Sequence, residues 1–136
     1  MKKYIIISGL FLLIMSMMAS CSKKDEPVDE DGLLITTRTD CYVANFELLG
    51  ADFQTVRTSA PTIDTTACTI NQEVRYGTDL KNLWPQFSLA QDCKLDPKIT
   101  GATDFSDLAN PRKYTVVSGN RKVRKTYTVT ITVQSK

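Results

Sequence analysis

The stretch from Val123 to Val133 constrains the fold most, because its residues alternate between two chemically different sets. One set is mostly apolar, with Lys125 as its interruption, and comprises Val123, Tyr127, Val129, Ile131 and Val133. The other set holds threonines at positions 126, 128, 130 and 132. This period of two residues is typical of a β-strand with one buried and one solvated face. We predict that Tyr114 to Val117 pairs with this strand in a hairpin, with Ser118-Gly119-Asn120 at the turn.

Two further stretches alternate in the same way. In the first, the predicted inward residues are Tyr42, Ala44, Phe46 and Leu48. In the second they are Cys68, Ile70, Gln72, Val74 and Tyr76, with Gln72 as the polar exception. Short extended segments are predicted around Phe87 and Cys93, and one helical turn from Leu80 to Trp84, ended by Pro85. About seven short strands separated by turns predict an all-β fold, an immunoglobulin-like antiparallel β-sandwich.

The N-terminus has a different composition. Lys2 and Lys3 precede fifteen uncharged residues, Tyr4 to Met18, and the segment ends in Ala19-Ser20-Cys21. This run is short for a membrane-spanning helix, which needs about 20 apolar residues, and is typical of a signal peptide. The pattern resembles a bacterial lipoprotein signal peptide, which implies cleavage before Cys21 and acylation of Cys21, palmitate included, as a membrane anchor. The alternative is an ordinary N-terminal membrane helix or a buried helix.

These features divide the chain into a signal peptide at 1–20, a flexible tether at 21–35 that starts at the lipidated Cys21, and a β-sandwich domain at 36–136. Within the tether, Lys24-Asp25-Glu26 resembles the acidic export signal of surface lipoproteins of the Bacteroidetes type. The resemblance implies an outer-membrane lipoprotein that faces the cell exterior. The alternatives are the periplasmic face of that membrane and a generic hydrophilic tether.

Charge and composition argue against several classes of function. Lys2 and Lys3 account for the formal charge of +2, and the rest of the chain carries fifteen basic and fifteen acidic residues, so net charge does not point to a nucleic-acid partner. Histidine is absent, which removes the commonest general base and the commonest zinc ligand. Neither a Gly-x-Ser-x-Gly nor a Cys-x-x-Cys motif occurs. We therefore predict no enzymatic activity, no metal site and no cofactor.

Acylation of Cys21 would leave three thiols, those of Cys41, Cys68 and Cys93. An exported protein meets an oxidising environment, so one disulfide and one leftover cysteine are expected. Cys41–Cys68 is the leading pair because it joins the first two predicted strands, and Cys68–Cys93 is the second. Sequence alone leaves the connectivity open.

Several segments of the domain resemble a known family. They are Tyr76-Gly77-Thr78-Asp79-Leu80-Lys81-Asn82-Leu83, Asp104-Phe105-Ser106 with Asn110-Pro111, Lys113-Tyr114-Thr115-Val116 and Lys125-Thr126-Tyr127-Thr128-Val129-Thr130. Together they resemble an immunoglobulin-like domain of uncharacterised function from surface lipoproteins of the Bacteroidetes type, often found beside glycan-utilisation proteins. The resemblance spans residues 40–134 and implies a fold and a cellular setting rather than a reaction.

Trp84 is the only tryptophan, and with Asp79, Asn82 and Gln86 it forms a candidate ligand platform. In a sugar-binding surface, an aromatic face stacks on the apolar side of a pyranose ring while amides and carboxylates bind its hydroxyl groups. The alternative is that Trp84 folds back over one end of the sandwich, because a large aromatic side chain usually buries most of its area.

The segment 112–136 carries seven basic residues and no acidic one. Arg121, Lys122, Arg124 and Lys125 cluster around the predicted hairpin turn, where they form a candidate interaction patch for an acidic glycan, phosphate groups or a protein. Alternatively, these charges prevent unwanted strand pairing or offset the acidic segment that precedes them.

The sequence therefore predicts a non-catalytic cell-surface lipoprotein, an accessory binding module that contributes to glycan capture in an outer-membrane complex. The alternative is a structural or interaction subunit, or a spacer, that binds another surface protein through its basic C-terminal hairpin. The predicted partners are the membrane, through the N-terminal lipid, and a glycan or a second surface protein.

Overall fold

Seven β-strands are present in residues 26–136, the part of the chain that the computed structural model describes. They are β1 (Val43–Leu49), β2 (Thr62–Asp64), β3 (Thr69–Val74), β4 (Trp84–Leu89), β5 (Lys94–Asp96), β6 (Arg112–Val117) and β7 (Arg124–Val133). β1 and β4 form a two-stranded sheet, and the other five form a sheet in the order β2-β3-β7-β6-β5. The predicted all-β sandwich is confirmed. The predicted signal peptide, Cys21 and the start of the tether lie outside the described residues.

One strand pair departs from the expected antiparallel arrangement. β3 and β7 run parallel, with Ile70 opposite Val129, whereas the other pairs are antiparallel. Parallel neighbours cannot be joined by a tight turn. The chain between them therefore crosses to the other sheet, builds β4, and returns through β5 and β6. β7 then occupies the centre of the five-stranded sheet.

The predicted hairpin of β6 and β7 is confirmed, with Tyr114 opposite Tyr127. Tyr127, Val129 and Ile131 are buried as their alternation predicts, whereas Val133 is exposed at the strand end. The connection between the two strands is longer than a two-residue turn. Its own side chains close it, since the Ser118 hydroxyl accepts a hydrogen bond from the Val123 amide at 3.0 Å.

β1 does not keep the alternation that its sequence predicts. Val43 is buried together with Phe46 and Leu48, whereas Tyr42 and Ala44 are exposed. The cause is a β-bulge, seen as a shift of the register with β4 between Val43 and Asn45. A bulge places two residues opposite one, so the inward positions change phase there. The predictions for Phe46 and Leu48 are confirmed, and those for Tyr42 and Ala44 are wrong.

Trp84 begins strand β4 instead of ending a helical turn, so that prediction is wrong. The preceding residues 77–83 form turns that end in a β-bridge between Leu83 and Thr103. In its sheet β4 has β1 as its single neighbour. An edge strand tolerates Pro85, because one side of the strand needs no N–H donor.

The core lies between the two sheets. Its largest fully buried apolar side chains are those of Phe46, Leu48, Ile70, Leu83 and Tyr127. Aromatic rings connect the sheets, since the Phe87 ring of β4 lies 4.9 Å from that of Phe46 and 4.8 Å from that of Tyr114 on β6, measured between centroids. Gln72 faces inward as predicted, and its Nε2 donates hydrogen bonds to two backbone carbonyl oxygens at 2.9 Å each.

Residues 27–35 differ from the flexible tether that the sequence predicts, because they fold back on the domain as an N-terminal arm. Val28 and Leu34 form an antiparallel bridge, and Asp29 lies in the turn between them. The Asp29 carboxylate is 3% exposed and accepts hydrogen bonds from Lys94 Nζ at 2.8 Å and from Arg121 Nε at 2.9 Å. In this structure the arm is therefore bound to the domain.

Charge pairing fixes the arm in place. The hydrogen bond from Lys94 is the main reason that the pKa of the Asp29 carboxyl lies well below its ordinary range. In turn, Asp29 is the main cause that raises the pKa of Lys94. Both groups are therefore charged at neutral pH. Lys94 also pairs with Asp31 at 2.7 Å. Removing Asp29 or Lys94 would leave the other buried charge with fewer partners, which is unfavourable, so the arm and the domain stabilise each other.

Candidate ligand-binding surface

The outward face of the β1–β4 sheet carries the main candidate site. Side chains alternate along β4, so that Trp84 and Gln86 point outward while Pro85 and Phe87 point toward the core. Trp84 lies opposite Leu49 of β1, and Gln86 lies opposite Glu47. Directly opposed side chains on one face of a sheet are in contact range. The structure thus brings together two of the four predicted platform residues, Trp84 and Gln86.

Phe53 extends this surface, and the sequence analysis missed it. The Phe53 side chain is 59% exposed, and its ring centroid lies 5.3 Å from that of half-buried Trp84 at an interplanar angle of 43°. The tight turn after β1 places the ring there, with the Phe53 amide donating to the Gly50 carbonyl at 2.9 Å. Together the Phe53 and Trp84 rings form what we call the aromatic platform. Large aromatic side chains that remain exposed are enriched at binding surfaces.

The backbone of Phe53 is held in an unfavourable conformation. Its φ angle is 60°, in the left-handed region, where a bulky side chain is a true outlier. Asp52 supports the turn, because its carboxylate accepts a hydrogen bond from the Gln54 amide at 3.1 Å. Strain of this kind persists where the surroundings impose it and is concentrated at functional sites.

Polar side chains beside the platform are held rigidly. Arg57 pairs with Glu47 at 2.7 Å and also donates to the Phe46 carbonyl at 2.8 Å. The other Glu47 carboxylate oxygen accepts a hydrogen bond from the Thr55 hydroxyl at 2.8 Å. Glu47 and Arg57 therefore present compensated charges and fixed hydrogen-bonding groups next to the two rings.

Asp79 and Asn82 lie in the turns before β4, and their side chains are hydrogen-bonded to each other. Asn82 Nδ2 donates to the Asp79 carboxylate at 2.9 Å, and the Lys81 amide donates to it at 3.0 Å. The hydrogen bond from Asn82 is the main cause that lowers the pKa of Asp79. Both side chains thus order the loop that leads into Trp84, and the structure does not place them on the β1–β4 sheet face.

The structure divides the candidate basic patch, because its two arginines are bound within the domain and its two lysines are exposed. Arg121 binds Asp29 and donates to the carbonyls of Leu34, Asp92, Ser118 and Gly119. Arg124 pairs with Asp96 at 2.5 Å. Lys122 and Lys125 are exposed. The physical reason is that the two guanidinium groups are bound by carboxylates of the protein itself, that of Arg121 by Asp29 of the arm and that of Arg124 by Asp96 at the end of β5.

The predicted Cys41–Cys68 disulfide is not formed in this structure, in which Cys41, Cys68 and Cys93 are all free thiols. Cys41 is buried, and its thiol donates to the Val116 carbonyl at 3.3 Å. The Cys68 thiol instead contacts the Thr65 carbonyl of its own turn at 3.7 Å. The thiols of Cys41 and Cys68 therefore contact different parts of the backbone.

The aromatic platform is an open surface rather than a cleft. Three open depressions of about 240, 380 and 400 Å³ in the described part of the chain are lined by other residues. No helix among residues 26–136 is long and apolar enough to cross a membrane. Within that same range, no group of three or more metal-binding side chains could hold a metal ion.

The fold and this surface define a small β-sandwich with an exposed aromatic platform. Residues 51–131, more than half of the chain, match the sequence profile of the family "SGBP, N-terminal", where SGBP denotes starch/glycan-binding proteins. The chain belongs to this family. No curated protein is significantly similar to it in sequence.

Two solved structures from Bacteroides share the fold. A candidate glycoside hydrolase from Bacteroides thetaiotaomicron is 26% identical, covering 85% of this chain and 28% of that one, with a TM-score of 0.59. A DUF4623 family protein from Bacteroides eggerthii is 19% identical, covering 71% of this chain and 22% of that one, with a TM-score of 0.53. This chain therefore corresponds to less than a third of either protein.

Proposed function

We propose that this protein is a non-catalytic accessory component of a glycan-utilisation system and that it contacts glycans through the aromatic platform. Membership of the SGBP N-terminal family supports the association with glycan binding. The main observation in favour of this surface is that the Phe53 and Trp84 rings lie 5.3 Å apart on an exposed sheet face. An open aromatic surface suits an extended polysaccharide, which would not fit a closed pocket.

The chemistry of the face favours a neutral glycan. A sugar ring stacks its C–H side on an aromatic ring, and fixed polar groups bind its hydroxyls. Gln86 offers both a donor and an acceptor, and Glu47 is already paired with Arg57 at 2.7 Å. Because these charges compensate each other, the Glu47–Arg57 pair adds no net positive charge to attract an acidic sugar.

The carboxylates support a binding role over a hydrolytic one. Glycoside hydrolysis commonly uses two opposed carboxyl groups, one of them a general acid whose pKa is raised. Among residues 26–136, each carboxyl group with a resolved shift, those of Asp29, Asp79, Asp96 and Asp104, has its pKa lowered by hydrogen bonds. These groups favour the ionised form and are poor proton donors.

The proposed setting is the outer membrane, with the protein anchored through lipid on Cys21 and facing the cell exterior. The lipoprotein-like signal sequence and the Lys24-Asp25-Glu26 segment support this proposal. The test is to express wild type and Cys21→Ser and to label intact cells with a membrane-impermeant reagent. Membrane retention and labelling of the wild type alone are expected. Equal membrane retention of Cys21→Ser would contradict the lipid anchor, and an unlabelled wild type would contradict the exterior position.

Glycan binding is tested by affinity electrophoresis against a panel of neutral polysaccharides, starch included. We expect retardation of the wild type and at least about tenfold weaker binding by Trp84→Ala, since central aromatic contacts are commonly worth more than about 1.4 kcal/mol. The matched control is Tyr76→Ala, because Tyr76 is as exposed as Phe53, at 59%, and lies outside the platform. Unretarded wild type, or equal retardation of wild type and Trp84→Ala, would refute the proposal.

A further inference from the structure

Two of the three described cysteines lie side by side where the two sheets meet. Cys41 precedes β1 of the two-stranded sheet, and Cys93 precedes β5 of the five-stranded sheet. The Cys93 thiol donates to the Asp40 carbonyl at 3.0 Å. The Cys93 sulfur therefore contacts the backbone of the residue immediately before Cys41.

The surrounding backbone fixes this approach. The Ala90 amide donates to the Tyr42 carbonyl at 3.0 Å, and the Cys93 amide donates to the Ala90 carbonyl at 3.1 Å. Arg121 binds the Asp92 carbonyl at 3.0 Å from the other side. The loop that carries Cys93 is thus held against the start of β1 by several independent contacts.

The two thiols differ in access. Cys41 is 4% exposed. Cys93 is half-buried and lines an open groove of about 400 Å³ between the N-terminal arm and β5. Asp31, Leu33, Lys94, Leu95 and Lys98 complete the groove. A small disulfide reagent can therefore reach Cys93 from solvent, while Cys41 is reachable through Cys93.

We propose that Cys41 and Cys93 form an intramolecular disulfide that joins the two sheets. The oxidant is a disulfide of the thiol–disulfide exchange class. The Cys93 thiolate attacks it, which forms a mixed disulfide and releases one thiol. The Cys41 thiolate then attacks the Cys93 sulfur and releases the second thiol. Two electrons pass to the oxidant, and the two protons of the cysteines end on the released thiols.

Burial raises the pKa of both thiols. The thiolate is the attacking species, so closure of the disulfide accelerates as the pH rises toward the raised pKa values. The cross-link would close a loop of about fifty residues, and loops of this size give a large entropic stabilisation in the chain-entropy model. Its effect is to tie the edge of the smaller sheet to the edge of the larger one.

The test uses the full chain carrying Cys21→Ser, so that the remaining thiols are the three described here. The reduced protein is treated with oxidised glutathione, its free thiols are alkylated, and its peptides are mapped by mass spectrometry without reduction. We expect a Cys41–Cys93 linked peptide, alkylated Cys68, and a rise in Tm of roughly 10 °C that a phosphine reductant reverses. Three alkylated thiols, a glutathione adduct on Cys93 alone, or a linkage through Cys68 would each overturn the proposal.

Two single variants keep the test independent of folding defects. Cys68→Ser should retain both the linked peptide and the reductant-sensitive shift in Tm. Cys93→Ser, which replaces the half-buried partner and leaves buried Cys41 in place, should fold but lose both signals. A reductant-sensitive Tm in Cys93→Ser would show that a different pair carries the effect and would refute the assignment.

Discussion

Replacing Phe53 by asparagine tests whether this ring is kept for binding rather than for stability. The Phe53 φ angle of 60° costs a bulky residue about 1–2 kcal/mol, whereas asparagine enters the left-handed region readily. Against this gain stands the loss of the ring contact with Trp84, worth about 0.5–1.5 kcal/mol. Since the Phe53 side chain is 59% exposed, little other burial is lost. The two effects nearly cancel, so the free energy of unfolding should change by less than about 1 kcal/mol.

The matched control is Phe53→Ala, which removes the same ring but keeps a Cβ in the left-handed conformation. Urea unfolding should find Phe53→Asn more stable than Phe53→Ala by about 1 kcal/mol. Both variants should bind a glycan retained by the wild type about three- to tenfold more weakly. Equal stability of the two variants would refute the strain argument. A loss above about 3 kcal/mol in both would show that the ring is part of the core.

Three further predictions concern stability. The pKa of Asp29 in the folded state lies below its unfolded value. The stability that ionised Asp29 contributes is therefore present above about pH 4 and is lost as the pH falls through the folded pKa. The Tm of Asp29→Asn should fall less on acidification than that of wild type, and parallel acid profiles of the two proteins would contradict this. Arg121→Ala should lower the Tm more than Lys122→Ala, because Arg121 binds Asp29 and several carbonyls while Lys122 is exposed. The reverse order in a thermal scan would show that the contacts of Arg121 with the arm do not stabilise the fold. Tyr127→Phe removes the hydroxyl that accepts a hydrogen bond from the Val43 amide at 3.4 Å. Urea unfolding should show a free energy of unfolding lower by about 1–3 kcal/mol. A decrease under about 0.5 kcal/mol would mean that another group accepts the hydrogen bond of this amide.

The features that the sequence predicted well depend on local patterns. Threonines on one side of β7 and apolar residues on the other specify a strand whatever its neighbours are. The hairpin with β6 follows because the two strands are adjacent in the chain. The parallel pairing of β3 with β7 was missed, because no local signal specifies a partner more than fifty residues away.

The candidate site was only half predictable for the same reason. Trp84 was identified by its residue type, but Phe53 joins it because of a turn conformation that residue type does not predict. The contacts of the N-terminal arm were not predictable either, since its acidic residues look like solvated charges until the fold brings Lys94 and Arg121 to them. Likewise, the approach of Cys93 to Cys41 depends on how the two sheets meet.

The position of β7 has a consequence for the order of folding. The last strand in the chain is the central strand of the larger sheet, between β3 and β6, so that sheet cannot be completed until β7 is available. Contacts so distant in sequence form slowly, because the loop-closure entropy is lost before they are gained. The topology thus predicts that the five-stranded sheet is completed only after β7 is available.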